Sequence, residues 1–163
     1  MSDQIQLVEV LSAEEIDLIE AEVAHIPDRQ SAAIEALRIV QDKRGWVSDE
    51  SLRAIATQLE MSIEALDSIA TFYNLIFRQP VGRHVIMLCD SVSCFVMGSE
   101  QVRDKVCEHL GIGLGETTAD GKYTLLPIVC LGACDRAPVM TVGDKLVTHL
   151  SQDSIGEALD GFE

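Results

Sequence analysis

Four of the five cysteines fall into two spaced pairs, Cys89-x4-Cys94 and Cys130-x3-Cys134. Thiolates are soft ligands, and four of them form the ligand set of either a structural Zn2+ or a 2Fe–2S cluster. Spacing separates the two. Zinc knuckles favour tight C-x2-C pairs, in which one turn chelates one ion. A binuclear cluster is larger and spreads its ligands over two irons, so the wider loops suit it better. The loops also carry small residues, Ser91 and Ser93 in the first and Gly132 and Ala133 in the second. Small residues let backbone N–H groups approach the sulfurs, and such bonds tune a cluster's potential. A redox disulfide is a poorer reading, because it usually takes C-x-x-C at a helix N-terminus. Cys107 sits mid-helix with no Cys or His at ligand spacing and reads as a small packing residue.

The elements around these pairs must bring them together. His84 to Leu88 reads as a short strand ending at Cys89, and Tyr123 to Val129 as a second strand ending at Cys130. Between them, Ser99 to Leu110 is helical, with Val102, Val106 and Leu110 inward and Gly111 as the stop. A strand–helix–strand unit of this length gives a parallel pair. Parallel neighbours would carry both cysteine loops to the same sheet edge, although 35 residues separate Cys94 from Cys130. Gly143-Asp144 marks a hairpin between Val139–Val142 and Lys145–Thr148. Ser151 opens a last helix, with Leu150 and Ile155 as its hydrophobic staple.

The first half reads as a small helical bundle. Ser12 and Glu15 form a capping box, with Leu11 and Ile16 as the staple, and Ile16, Ile19, Val23 and Ile26 recur at helical spacing up to Pro27. A second helix spans about Gln30 to Lys43, with Ile34, Leu37 and Val40 inward and Gly45 as the stop. Ser48 opens a third, which buries Leu52, Ile55 and Leu59. Ser62 opens a fourth, with Met61 and Leu66 as its staple, then Ile69, Phe72 and Tyr73. The expected fold class is α+β: an N-terminal helical domain over 1–80, then an α/β cluster domain over 81–163. The acidic run Glu14, Glu15, Asp17, Glu20 and Glu22 reads as a solvated helix face.

Composition narrows the function. Acids number 27 against 12 Lys plus Arg, a formal net charge of −15. Phosphate backbones and anionic lipid surfaces would be repelled, so no nucleic-acid partner is expected. Five cysteines cannot close a disulfide set, and Met1 to Leu11 lacks a secretory pattern. The longest nearly apolar run, Leu125 to Ala133, is far too short to span a bilayer, so no membrane insertion is expected. A plant-type ferredoxin needs a third cysteine where Met97 stands, and a Rieske site needs paired His ligands, which His84 and His109 do not supply. Gly111 to Gly115 resembles a dinucleotide loop, but Glu116 takes the third glycine position and the run follows a helix instead of opening one. His25 and His149 are isolated. No catalytic residues are expected; the chain can hold an electron but has no means of taking a hydride.

The sequence resembles the thioredoxin-like 2Fe–2S ferredoxins. The likeness lies in Cys89–Cys94 (CDSVSC) with Cys130–Pro138 (CLGACDRAP), and extends to Arg44–Val47 (RGWV), Ala70–Tyr73 (ATFY) and Phe77–His84 (FRQPVGRH). It implies a thioredoxin-like second domain with one 2Fe–2S cluster on Cys89, Cys94, Cys130 and Cys134. It also implies an electron-transfer component of the NADH dehydrogenase module of respiratory complex I. FMN and NADH would then belong to a flavin-bearing, NADH-oxidising partner subunit, with other peripheral-arm subunits beside it. The chain would be cytoplasmic and peripheral to the inner membrane. The equivalent component of a soluble NAD-linked hydrogenase or formate dehydrogenase is the alternative; the fit around Phe77 to Arg83 favours the first.

Overall fold

The computed structural model describes residues 10–162. Residues 1–9, which make up most of the stretch lacking a secretory pattern, lie outside the described part. Among the described residues, those up to Pro80 form one compact unit and those from Val81 a second.

The helical unit contains α1 (Ala13–Val23), α2 (Ala33–Arg44), α3 (Asp49–Gln58) and α4 (Ile63–Phe72). Local chemistry sets their starts. Ser12 and Glu15 cap α1 reciprocally, while Ser48 and Ser62 accept backbone N–H bonds at the starts of α3 and α4. A 3-10 turn at Arg29–Ala32, capped by Asp28, precedes α2, which therefore begins later than its apolar pattern indicated. Gly45, at φ +82°, ends α2 in the left-handed region that an L side chain resists. The core combines Leu11, Ile19, Leu37, Val40, Val47, Leu52, Ile55, Leu59 and Leu66 with the alanines Ala36, Ala54 and Ala70. Those small residues let the helices approach closely.

Two expectations fail here. Phe72 and Tyr73 do not continue the inward face of α4; both are exposed. The helix ends at Phe72, and the chain turns so that Ile76 enters the core instead. The acidic face of α1 is not uniformly solvated either. Glu15 is buried beneath Arg44, whose Nε and Nη2 donate to its two carboxylate oxygens at 2.7 and 2.6 Å. Glu20 is held by Arg29 at 2.5 Å.

The second unit is a four-stranded sheet in the order β2-β1-β3-β4. It is built from β1 (His84–Cys89), β2 (Tyr123–Ile128), β3 (Met140–Val142) and β4 (Lys145–Val147). β1 and β2 are parallel, with His84 opposite Tyr123 and Cys89 opposite Ile128. β3 lies antiparallel to β1 and turns into β4 at Gly143-Asp144. The crossover from β1 to β2 contains α5 (Val92–Val96) and α6 (Ser99–Leu110); α7 (Ile155–Asp160) closes the unit after a 3-10 turn. Ile86, Leu125, Met140, Val102, Val106, Leu150 and Ile155 form its core, and Cys107 packs against it. The glycine-rich run after α6 is a loop, in which the Glu116 carboxylate accepts the Gly113 N–H at 2.7 Å.

Candidate metal centre

The register of β1 and β2 determines where the cysteines stand. Cys89 is the last residue of β1 and lies level with Ile128, so Cys130 follows two residues beyond the same sheet edge. The backbone fixes both exits: Asp90 N–H donates to the Ile128 carbonyl at 2.8 Å, and Cys89 N–H to the Val139 carbonyl at 3.2 Å. Cys94 is not in a loop, as its position after the strand indicated, but on the short helix α5. Cys134 opens a 3-10 turn, Cys134–Arg136, followed by a cis Ala137–Pro138 peptide bond.

All four cysteines come to this edge, spaced too widely for any three of them to ligate a single metal ion. Cys130 and Cys134 sulfurs are 3.9 Å apart. The Cys89 thiol donates to the Val129 carbonyl at 3.9 Å and is near enough to Cys94 and Cys130 to act on the protonation of both. Their surroundings differ. Cys89 and Cys94 are buried with Ala133, Ala137 and Val139 in a small apolar cluster, against which Leu131 packs. Cys130 and Cys134 are exposed. Burial, then the neighbouring Cys89 thiol, pushes the Cys94 thiol up to about 11. The Gly132 N–H, which donates to the Cys130 sulfur at 3.3 Å, holds that thiol below the ordinary range, with help from Cys134, Ser91 and Cys89. Gly132 adopts φ +75°, a conformation that favours glycine; a Cβ there would meet nothing within 4 Å, so backbone freedom, not the small size expected to matter, brings its N–H to the sulfur.

The chemistry of the donor set suits a binuclear iron–sulfur group. Two of the four soft donors sit in a small apolar cluster, two are exposed, and a backbone N–H points at one of the exposed sulfurs. All four belong to the two pairs that the spacing singled out, and no histidine joins them.

A feature the cysteine pattern did not reveal is the rim. Val92, Phe95, Val96 and Met97 stand exposed around buried Cys94, and Val129 stands exposed beside Cys130. Val96 and Val129 are 75% and 77% exposed, far beyond what scattered surface hydrophobes require. The signal was present in the sequence: residues 91–99 carry no charge in a strongly acidic chain. Arg136, next to Cys134, is half exposed and lies 3.6 Å from the Asp135 carboxylate.

Fold and site together define an iron–sulfur electron carrier of thioredoxin-like design, and the chain belongs to the thioredoxin-like 2Fe-2S ferredoxin family, whose pattern matches residues 19–163. A member of this family carries one 2Fe–2S cluster. The chain is 46% identical to the E subunit of NADH-quinone oxidoreductase from Pseudomonas aeruginosa over 153 residues, 94% of this chain and 92% of that protein. It is equally similar, 46% over the same shares, to the E subunit of NADH-quinone oxidoreductase from Escherichia coli strain K12. Among solved structures, an NAD+-reducing NiFe-hydrogenase in the air-oxidized state matches 83% of this chain at a TM-score of 0.68 and 22% identity. This chain covers 24% of that one, and the likeness is one of fold.

Proposed function

We propose that this chain is the small electron-transfer subunit of an NADH:quinone oxidoreductase, with its cluster held by Cys89, Cys94, Cys130 and Cys134. The observation that carries the assignment is the arrival of these four cysteines at one sheet edge, flanked along the chain by exposed apolar side chains. The likeness to the two oxidoreductase subunits over nearly the whole length supports the particular complex. The likeness to the hydrogenase, at 22% identity, supports only a shared fold.

When bound, the cluster supplies a site that accepts or gives one electron at a time. This chain's own residues do the rest. Ala133, Ala137 and Val139 keep water from the buried pair. Gly132 N–H places positive partial charge on the Cys130 sulfur, where negative charge collects. Val92, Phe95, Val96, Met97 and Val129 offer an apolar face for a partner, so that the exposed pair is covered on assembly. NADH delivers two electrons as a hydride, so flavin and nicotinamide belong to the partner, a flavin-bearing, NADH-oxidising subunit. Other subunits of the peripheral arm complete the assembly. Among the described residues no helix is long and apolar enough to cross a membrane. Attachment at the cytoplasmic side of the inner membrane would therefore be indirect, through the complex.

Purification of the full chain under anaerobic conditions tests the site. The expected result is a coloured protein with two irons and two sulfides per chain; a colourless zinc protein would overturn it. Co-expression with the flavin-bearing subunit tests the assembly: the two should co-purify, and NADH should reduce this chain's cluster only in the complex. NADH oxidation by the isolated chain, with a flavin of its own, would overturn the division of labour.

A further inference from the structure

The helical unit carries a second exposed apolar display, and it is built differently from the cluster rim. Residues 68–77 hold no charged side chain, although the first 80 residues carry 15 acids and six Lys plus Arg. At the end of α4, Phe72 is 81% exposed and Leu75 is 55% exposed, with Tyr73 beside them. The Phe72 and Tyr73 rings meet edge to face, their centroids 5.3 Å apart.

This display is rigidly backed. Ile76 is anchored in the core. The Gln41 side chain from α2 spans the segment: its amide donates to the Leu75 carbonyl at 2.8 Å and accepts the Phe77 N–H at 2.6 Å. Val47 N–H donates to the Phe77 carbonyl at 2.8 Å. Arg78 then ties the exit to α3 and α4, donating to Asp49 at 2.6 Å, to Asp67 at 3.1 Å and to the Val47 carbonyl. Beside the display lies a cleft of ≈ 270 Å³, lined in part by Ile34, Arg38, Gln41 and Leu75. That volume is just below what small-molecule sites enclose and suits one inserted side chain. Exposed aromatics on a pre-ordered backbone, next to a receiving cleft, match the anatomy of a binding hot spot, since little ordering entropy remains to be lost.

We infer that Phe72, Tyr73 and Leu75, with the adjoining cleft, form a second docking site for the flavin-bearing partner subunit. The site takes an apolar segment of that subunit. The inference rests on the assembly proposed above. Area argues for the same partner. A stable interface uses about 20–30 residues a side, more than the two short cysteine loops and their flanks present, so a permanent subunit needs contact elsewhere. Charge argues against the other occupants. A second copy would bring two chains of net charge −15 together, and an anionic lipid surface would be repelled by the acidic unit.

The test uses the full, cluster-loaded chain and the purified flavin-bearing subunit. Phe72→Asp and Leu75→Asp should each leave the visible spectrum and melting temperature unchanged and weaken association by about tenfold or more. Ile63→Asp, at the opposite end of α4 and also exposed, should bind like the unaltered chain, and Phe72→Tyr should retain most of the affinity. Full affinity in both Asp variants at these positions would overturn the inference, and so would an equal loss in Ile63→Asp. An unaltered, cluster-bearing chain that fails to bind the flavin-bearing subunit would instead overturn the assembly itself, and this site with it.

Discussion

The two units are held together by different means. The helical unit carries interior polar locks: Glu15 is buried against Arg44, and Arg78, mostly buried, bridges two acids. In the cluster unit, the Arg and Lys ion pairs among the described residues join side chains at the surface, and two of the site's four thiols pack in a small apolar cluster. The first unit is held by its own side chains; the second has a centre whose stability is completed by what its thiols bind. Metal binding to thiolates is then also folding energy for that unit.

The largest effects should follow from removing a proposed ligand. Cys94→Ala, Cys89→Ala, Cys130→Ala or Cys134→Ala should abolish the visible absorbance and lower the stability of the cluster unit, while far-UV circular dichroism retains the signal of the helical unit. Cys107→Ala should keep the spectrum, because that thiol only packs against the sheet core. Iron analysis and a thermal melt of each variant check this. A normal cluster in Cys130→Ala would break the assignment.

Next in size is the interior pair of the helical unit. Arg44→Met leaves the Glu15 carboxylate buried without its bidentate partner and removes the bonds to Ser51 and to the Val10 carbonyl. The expected loss is about 3 kcal/mol, the lower end of the range for broken buried pairs, because Arg44 itself is partly exposed. The cluster spectrum should not change. Denaturant unfolding followed by helix content measures the loss, and a large spectral change would show that the two units are not separately held.

The same pair sets a pH dependence. Burial pushes the Glu15 carboxyl up, but the bonds from Arg44 and Ser12 outweigh it and hold the group below its ordinary value of 4.5. Glu20 is also held low, first by Arg29 and then by Gln58. A carboxyl whose folded value is depressed stabilises the fold fully above the unfolded value, and that stability is lost as pH falls through the folded one. The helical unit should therefore weaken progressively below about pH 4.5. Glu15→Gln should be less stable at neutral pH and show a flatter acid profile. An unchanged acid slope in that variant would move the acid sensitivity to other carboxyls.

Much of this was legible in the sequence, because local rules decided it. Ser12, Ser48 and Ser62 announce three helix starts by capping chemistry alone, and Gly45 announces a stop. The β1 and β2 ends were legible too, since short apolar runs bounded by a crossover helix leave one parallel arrangement. What escaped depended on tertiary context. Phe72 and Tyr73 follow the apolar period of α4, yet Gln41, a residue 31 positions before Phe72, holds the following turn so that Ile76 takes the core place. Glu15 belongs to an acidic run by sequence and to a buried pair by packing, because Arg44 reaches it from the end of α2. The short helix under Cys94 has too few residues for a periodic signal.

A smaller effect is expected at Gly132. Its φ of +75° strains any L side chain, while a Cβ would meet nothing within 4 Å. The cost of Gly132→Ala is therefore backbone strain alone, about 1–2 kcal/mol. The visible spectrum should remain, with faster loss of iron to a chelator, since the N–H that faces the Cys130 sulfur is disturbed. Chelator kinetics on the two proteins, compared at one pH, measure it; equal rates would show that the N–H bond contributes nothing to retention.

The smallest expected effect concerns Arg136 and sharpens the contrast from the side of the cluster unit. With four thiolates, an oxidised 2Fe–2S cluster carries a formal charge of about −2, and reduction adds another negative charge. In a chain already at −15 the added charge is disfavoured, so the potential should be low. Arg136 adjoins a proposed ligand and opposes that trend, but its guanidinium is half exposed and 3.6 Å from Asp135. Solvent and the neighbouring carboxylate leave little of its charge to act on the sulfurs, in contrast to the shielded Arg44. An exposed pair is worth up to about 1 kcal/mol, which for one electron is about 40 mV. Arg136→Glu should lower the potential by about that much or less, and Asp135→Asn should raise it by freeing Arg136. Redox titration followed by electron paramagnetic resonance reads both. A shift well beyond about 40 mV would mean that Arg136 turns onto the sulfurs once the cluster is bound, and no shift in either variant would mean that it faces away.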